Sequence, residues 1–199
     1  MIANHIHDAL HQVRQLQAFI LEKRLFKGYS GKARAVSGAI ALSGAAILAS
    51  SHVPATPVAH LIGWGIILAI GLAVNYTCLL YWFLFNPEVR RNPIMLKPAV
   101  DAIPGLAVGA LFTLVFVLNQ QYDLLFGMWM CQYGLAQVAY RQSLPPGVYI
   151  IGLAYILCGV GCLLPHAVSF TNPWPMGIVF CTGEVASGIV MITHKPSKE

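Results

Sequence analysis

Glu184 has more chemistry open to it than any other residue, because it lies halfway along an apolar stretch, residues 172–193, that is long enough to cross a bilayer. A carboxyl group at that depth costs roughly 2.5–3.5 kcal/mol on insertion scales, so it turns inward and takes a partner. Two amides qualify as partners. Gln132 is ten residues in from Tyr122, just as Glu184 is ten in from Trp174, so at about 1.5 Å per residue the two share a depth. Asn75 lies further inward on an earlier stretch. A polar intramembrane centre of Glu184, Gln132 and Asn75 follows. With no Lys or Arg assigned to its depth, Glu184 is expected as the neutral acid, donating to one of the amides. Such a protonatable group suits a proton or cation pathway. The plainer alternative is a hydrogen bond that only holds two helices together.

Other chemistry-bearing residues are weaker candidates. His52, His60 and His166 collect towards the outer surface, where His60 and His166 with Asp123 would line an outer vestibule. Haem ligation by such a pair needs histidines inside facing helices, and His52 and His166 fall in loops, so no cofactor is assigned. His7 and His11 share a helix face, but only Asp8 keeps them company, and no metal site is assigned. Gly28-Tyr29-Ser30-Gly31 and Ala59-His60-Leu61-Ile62-Gly63 look like the GxSG and AHxxG pieces of an intramembrane serine protease. The membrane topology sets Ser30 and His60 at opposite faces, where no base reaches the nucleophile. With no nucleophile–base pair, metal cluster or phosphate loop surviving, the reading leans away from an enzyme.

Positioning these residues requires helices in lipid. Of the 199 residues 57% are hydrophobic and only 10% charged, well outside soluble composition. Six apolar segments, 33–50, 58–85, 99–118, 122–140, 147–164 and 174–193, are separated by clusters of Pro, Asn and Gly. Residues 1–32 precede them with apolar positions at helical spacing (Ile2, Ile6, Leu10, Val13, Leu16, Ile20). That spacing predicts an amphipathic helix lying on the membrane or on the cytoplasmic loops. No signal-peptide core interrupts this leader, so the spans themselves direct insertion.

Charge sets the orientation. Arg14, Lys23, Arg24, Lys27, Lys32 and Arg34 precede or open the first span; Arg90, Arg91 and Lys97, then Arg141, then Lys195 and Lys198 fall after spans two, four and six. All twelve cationic side chains are therefore on one side if both termini are cytoplasmic. The expected fold is all-α: a polytopic bundle of six transmembrane helices (33–194) behind an amphipathic cytoplasmic helix (1–32), with a short tail (195–199). A bacterial cytoplasmic membrane is the expected location. The net charge of +5 is explained by topology, without nucleic acid. Arg34 is read as snorkelling from the first span's end.

Small residues pattern the spans. Ala41, Ala45 and Ala49 form a ladder on the first, and Gly183, Ser187 and Gly188 flank Glu184 on the sixth. The alanine ladder is similar to one on the first helix of six-span substrate-binding subunits of modular vitamin importers, although the long leader departs from that pattern. The resemblance implies a partner subunit docked on the Ala41, Ala45, Ala49 face; independently of it, the leader helix is a second surface for recruiting a protein partner. A fifty-residue echo also aligns Gly127 with Gly177 and Cys131 with Cys181. The functional expectation is a membrane protein that binds or passes a small solute or ion through the Glu184 centre. The alternative is a non-catalytic accessory or scaffolding subunit whose polar centre is only structural.

Overall fold

The structure is a computed structural model that describes residues 13, 30–86, 97–141, 144–164 and 168–193. The expected leader helix and tail, and His166, lie outside the described residues, apart from Val13. Six α-helices make up the rest: α1 Gly31–Leu48, α2 Pro57–Phe85, α3 Lys97–Leu118, α4 Leu125–Ala139, α5 Pro146–Leu163 and α6 Trp174–Thr193, with a 3-10 turn Tyr122–Leu124 before α4. No strand occurs among the described residues. Helices α2, α5 and α6 are each long and apolar enough to cross a membrane, and Ala102–Leu118 of α3 is a shorter apolar helix. Large apolar side chains such as Phe85, Leu118, Ile150 and Leu157 point outward, as a lipid-facing surface does.

Local chemistry starts the helices where they begin. Ser30 caps α1, its Oγ accepting from Ala33 N at 3.3 Å, and Thr56 caps α2 with Pro57 in the first turn. Pro146 opens α5 in the same way. Pro104 lies inside α3, where it withholds one backbone donor.

Two antiparallel pairs, α1 with α6 and α4 with α5, pack most extensively. Both are seamed by small residues seven apart. On α1, Gly31 meets Gly188, Gly38 meets Cys181 and Glu184, and Ala45 meets Gly177. On α4, Gly127 meets Gly159 and Leu163, and Gly134 meets Gly152. A methyl group at Gly31 or at Gly134 would run into the carbonyl oxygen of the facing glycine, so the backbones touch directly. A seven-residue spacing keeps one seam facing its partner along both helices, as in left-handed antiparallel packing. The echo between Gly127 and Gly177 is thus two glycines used alike, each seating a helix of a different pair.

The alanine ladder has a different use from the one expected. Ala41 and Ala45 are buried within the chain, Ala45 against Gly177 of α6, and only Ala49 is exposed. Helix α6 covers that face at Ala41 and Ala45 and leaves Ala49 open.

Helix α2 packs on α1, α5 on α6, and α3 on α4. At the end holding the start of α2 and α4, an apolar core of Leu125, Phe126, Met130 and Phe170 gathers Leu61, Trp64 and Phe116 around it. The Trp64 and Phe126 rings meet edge to face at 5.7 Å.

Candidate functional site: a buried Arg34–Glu184 pair

Glu184 projects from the middle of α6 into the seam with α1, opposite Gly38, whose missing side chain leaves room for the glutamate Cβ. Arg34 projects from the first turns of α1 and is turned inward. Its Nε donates to Glu184 Oε2 at 3.0 Å and its Nη2 to Oε1 at 2.7 Å. This is the two-pronged fork that a planar guanidinium makes with a carboxylate. Both side chains are buried, with relative exposures of 9% and 6%.

Two tyrosines complete the cluster from α4 and α5. Tyr133 OH accepts from Arg34 Nη2 at 3.1 Å and donates to Glu184 Oε1 at 2.7 Å. Tyr155 OH stands 3.5 Å from the same Oε1 and 3.4 Å from Phe180 O, so its single proton has two weak acceptors to choose between. Gly183 seats the Tyr155 ring, which a side chain there would displace. The Tyr133, Tyr155 and Phe180 rings have centroids 5.1–5.2 Å apart and wall the pair on one side. Four helices, α1, α4, α5 and α6, thus meet at one carboxylate.

This corrects the expected environment of Glu184. The sequence puts no cation at its depth, yet Arg34 is its main partner. The reason is helix stagger. Gly31 lies opposite Gly188, so α6 runs on to Thr193, about 7.5 Å beyond the start of α1. Arg34 therefore sits nearly level with Glu184, and its side chain reaches sideways into the bundle instead of snorkelling out.

The two amides are elsewhere. Gln132 Nε2 donates to Gly105 O on α3. Asn75 Nδ2 donates to Ser37 Oγ at 2.7 Å and to Gly71 O at 2.9 Å, which ties α2 to α1. Neither bonds to Glu184. The residues that do are Arg34, Tyr133 and Tyr155, none of which a depth count assigns to the centre. One signal could have found Arg34: Gly31, Gly38 and Ala45 repeat every seven residues, as do Gly177 and Glu184, and matching those seams sets Arg34 beside Glu184.

Of the outer-vestibule residues, Asp123 accepts from Phe170 N at 2.6 Å, fastening the turn before α4 to the segment before α6. His60 is buried near the start of α2, and its Nδ1 has no partner among the described residues. Ser30 and His60 stand near the starts of the antiparallel helices α1 and α2, at opposite ends of the pair, and Ser30 Oγ is engaged as a cap. Among the described residues no group of three His, Cys, Asp or Glu could hold a metal.

Comparison with protein-family models, curated proteins and solved structures finds no match to this chain. Function must be argued from the site itself.

Proposed function

We propose that this chain is a six-span protein of a bacterial cytoplasmic membrane, both termini cytoplasmic, that binds or passes a small ion at the Arg34–Glu184 centre. The proton is the ion that suits it best, because taking one up converts Glu184 from an anion into a neutral acid and releases the Arg34 fork. Six apolar segments and the one-sided distribution of twelve cationic residues support the topology.

The observation that carries the functional reading is the buried, two-pronged pair in the middle of an apolar bundle. Stability alone does not call for such a pair, since apolar side chains of similar volume serve equally well or better. Ionisable groups at membrane depth more often mark an ion route. Protonation here would loosen contacts that four helices share, which couples the charge state of one residue to bundle packing.

The test is proton flux into vesicles holding the purified protein, read with an internal pH dye. Glu184→Gln should abolish flux, and so should the paired replacement Arg34→Met/Glu184→Leu, which keeps the core filled. Undiminished flux in the folded double variant would refute the proposal.

A second reading, an accessory or scaffolding subunit, is favoured by one specific feature. Both carboxylate oxygens and both engaged guanidinium nitrogens already have partners, as a purely structural clasp would require. Under that reading the paired apolar replacement leaves the protein's cellular role intact.

A further inference from the structure

One helical turn from the pair lies a second set of buried polar atoms. Gln137 on α4 and Ser187 on α6 are 4% and 0% exposed, and Gln137 Oε1, Gln137 Nε2 and Ser187 Oγ have no partner among the described residues. Leaving such groups unbonded is costly, and native interiors pair nearly all of them. Three orphan atoms on two helices of an apolar bundle call for a ligand that both donates and accepts.

The helix packing puts these residues in one layer. Gln137 follows Tyr133 by one turn on α4, and its Cβ lies against Gly152 of α5. Ser187 follows Glu184 by nearly one turn on α6. The contacts Gly147 with Val190 and Gly183 with Tyr155 put Gly152 level with about residue 186 of α6. The contacts Gly31 with Gly188 and Gly38 with Cys181 put Arg34 opposite about residue 185, level with the pair itself. Gln137 and Ser187 therefore sit about one turn from the pair, on the side where α1 begins. On the other side of Glu184, the Tyr133–Tyr155–Phe180 wall and the Phe126–Met130–Phe170 core are closely packed and apolar.

We infer that Gln137 and Ser187 hold internal water between the α1 amino-terminal end and Glu184, and that this water is the route by which a proton reaches the carboxylate. The inference rests on the proton-binding role proposed above. An amide and a hydroxyl supply the two to four hydrogen bonds that a buried water needs, and they bind it without charge. Arg34, Tyr133 and Tyr155 are the titratable groups facing Glu184 from α1, α4 and α5, and Arg34 and Tyr133 bond it directly. Water arriving from the Ser187 side meets the carboxylate without passing the aromatic wall. No covalent step is involved; a proton moves from water to Glu184 and leaves by the reverse path.

Internal water is read directly by infrared difference spectroscopy of the full-length protein in lipid, with H₂¹⁸O exchange to identify water O–H bands. Gln137→Leu and Ser187→Ala should each remove isotope-sensitive bands and lower proton flux, the former at least tenfold, while far-ultraviolet circular dichroism stays that of the wild type. Ser187→Ala is small enough to fold whatever Gln137→Leu does. Wild-type water bands in the folded Ser187→Ala protein would overturn the inference, as would a raised melting temperature in both variants, the mark of removing polar atoms that bonded to nothing. The two readings fail separately. Lost bands with flux unaffected in Arg34→Met/Glu184→Leu would sink the proton route but leave the water site; lost flux in that variant with bands and flux unaltered in Gln137→Leu and Ser187→Ala would sink the water site alone.

Discussion

Replacing one member of the Arg34–Glu184 pair should cost far more than replacing both, and unequally depending on which is removed. Glu184→Gln leaves a guanidinium that cannot shed its proton, with one amide oxygen in place of two charged acceptors at 2.7 and 3.0 Å. The cost should reach the full range for an uncompensated buried charge, about 3–5 kcal/mol. Arg34→Met leaves a carboxyl that can neutralise itself by taking a proton and that keeps the Tyr133 hydroxyl at 2.7 Å. Its cost should be smaller, about 2–3 kcal/mol, the price of lost charge-assisted hydrogen bonds. Arg34→Met/Glu184→Leu removes charge and donors together and should fall within about 1 kcal/mol of the wild type, or above it. Equilibrium unfolding in detergent micelles, followed by circular dichroism, with Glu184→Leu added as the matching single variant, closes the double-mutant cycle. Its coupling energy should exceed about 3 kcal/mol. Additivity within about 0.5 kcal/mol would show that the two side chains do not act on each other and would refute the assignment.

Other perturbations read other parts of the fold. Gly134→Val forces a side chain against Gly152 O, Ile156 and Tyr155, and should lower stability by about 1–3 kcal/mol in the same unfolding assay. Gly38→Val presses on Glu184 Cβ and Cys181 O and should cost a similar amount while also reducing proton flux, which Gly134→Val need not do. Trp64→Phe removes an indole N–H that has no partner among the described residues and keeps the ring against Phe126, so stability should stay level or rise by up to about 1 kcal/mol. Arg141→Cys, in a chain whose five cysteines are replaced by serine or alanine, should react with an impermeant maleimide from the cytoplasmic side only. Labelling from outside would overturn the topology.

Much of the helical layout could be read from composition and punctuation. The Pro and Asn clusters that separate apolar segments are the places where α2, α5 and α6 start, because proline's missing donor costs nothing in a first turn. The inward position of Glu184 was legible too, since a lone carboxyl at that depth has nowhere else to go. The partners were not. Counting residues from span ends treats every helix as starting at one plane, and α1 begins roughly a turn deeper than α6 ends. That offset exchanges Gln132 for Arg34. Gln132 instead bonds Gly105 O on α3, and Asn75 bonds Ser37 on α1 as well as Gly71 on its own helix, pairings that no depth count weighs.

By itself, the sequence determined that this chain is helical and apolar: hydropathy acts residue by residue against water and lipid, so it is felt before any helix meets another. Only tertiary structure decided that Arg34, Tyr133 and Tyr155 surround Glu184, and that Gln137 and Ser187 share a layer beneath it. Those neighbours depend on the stagger of glycine seams between helices distant in the chain, and stagger is fixed by how backbones fit together rather than by any one segment's composition.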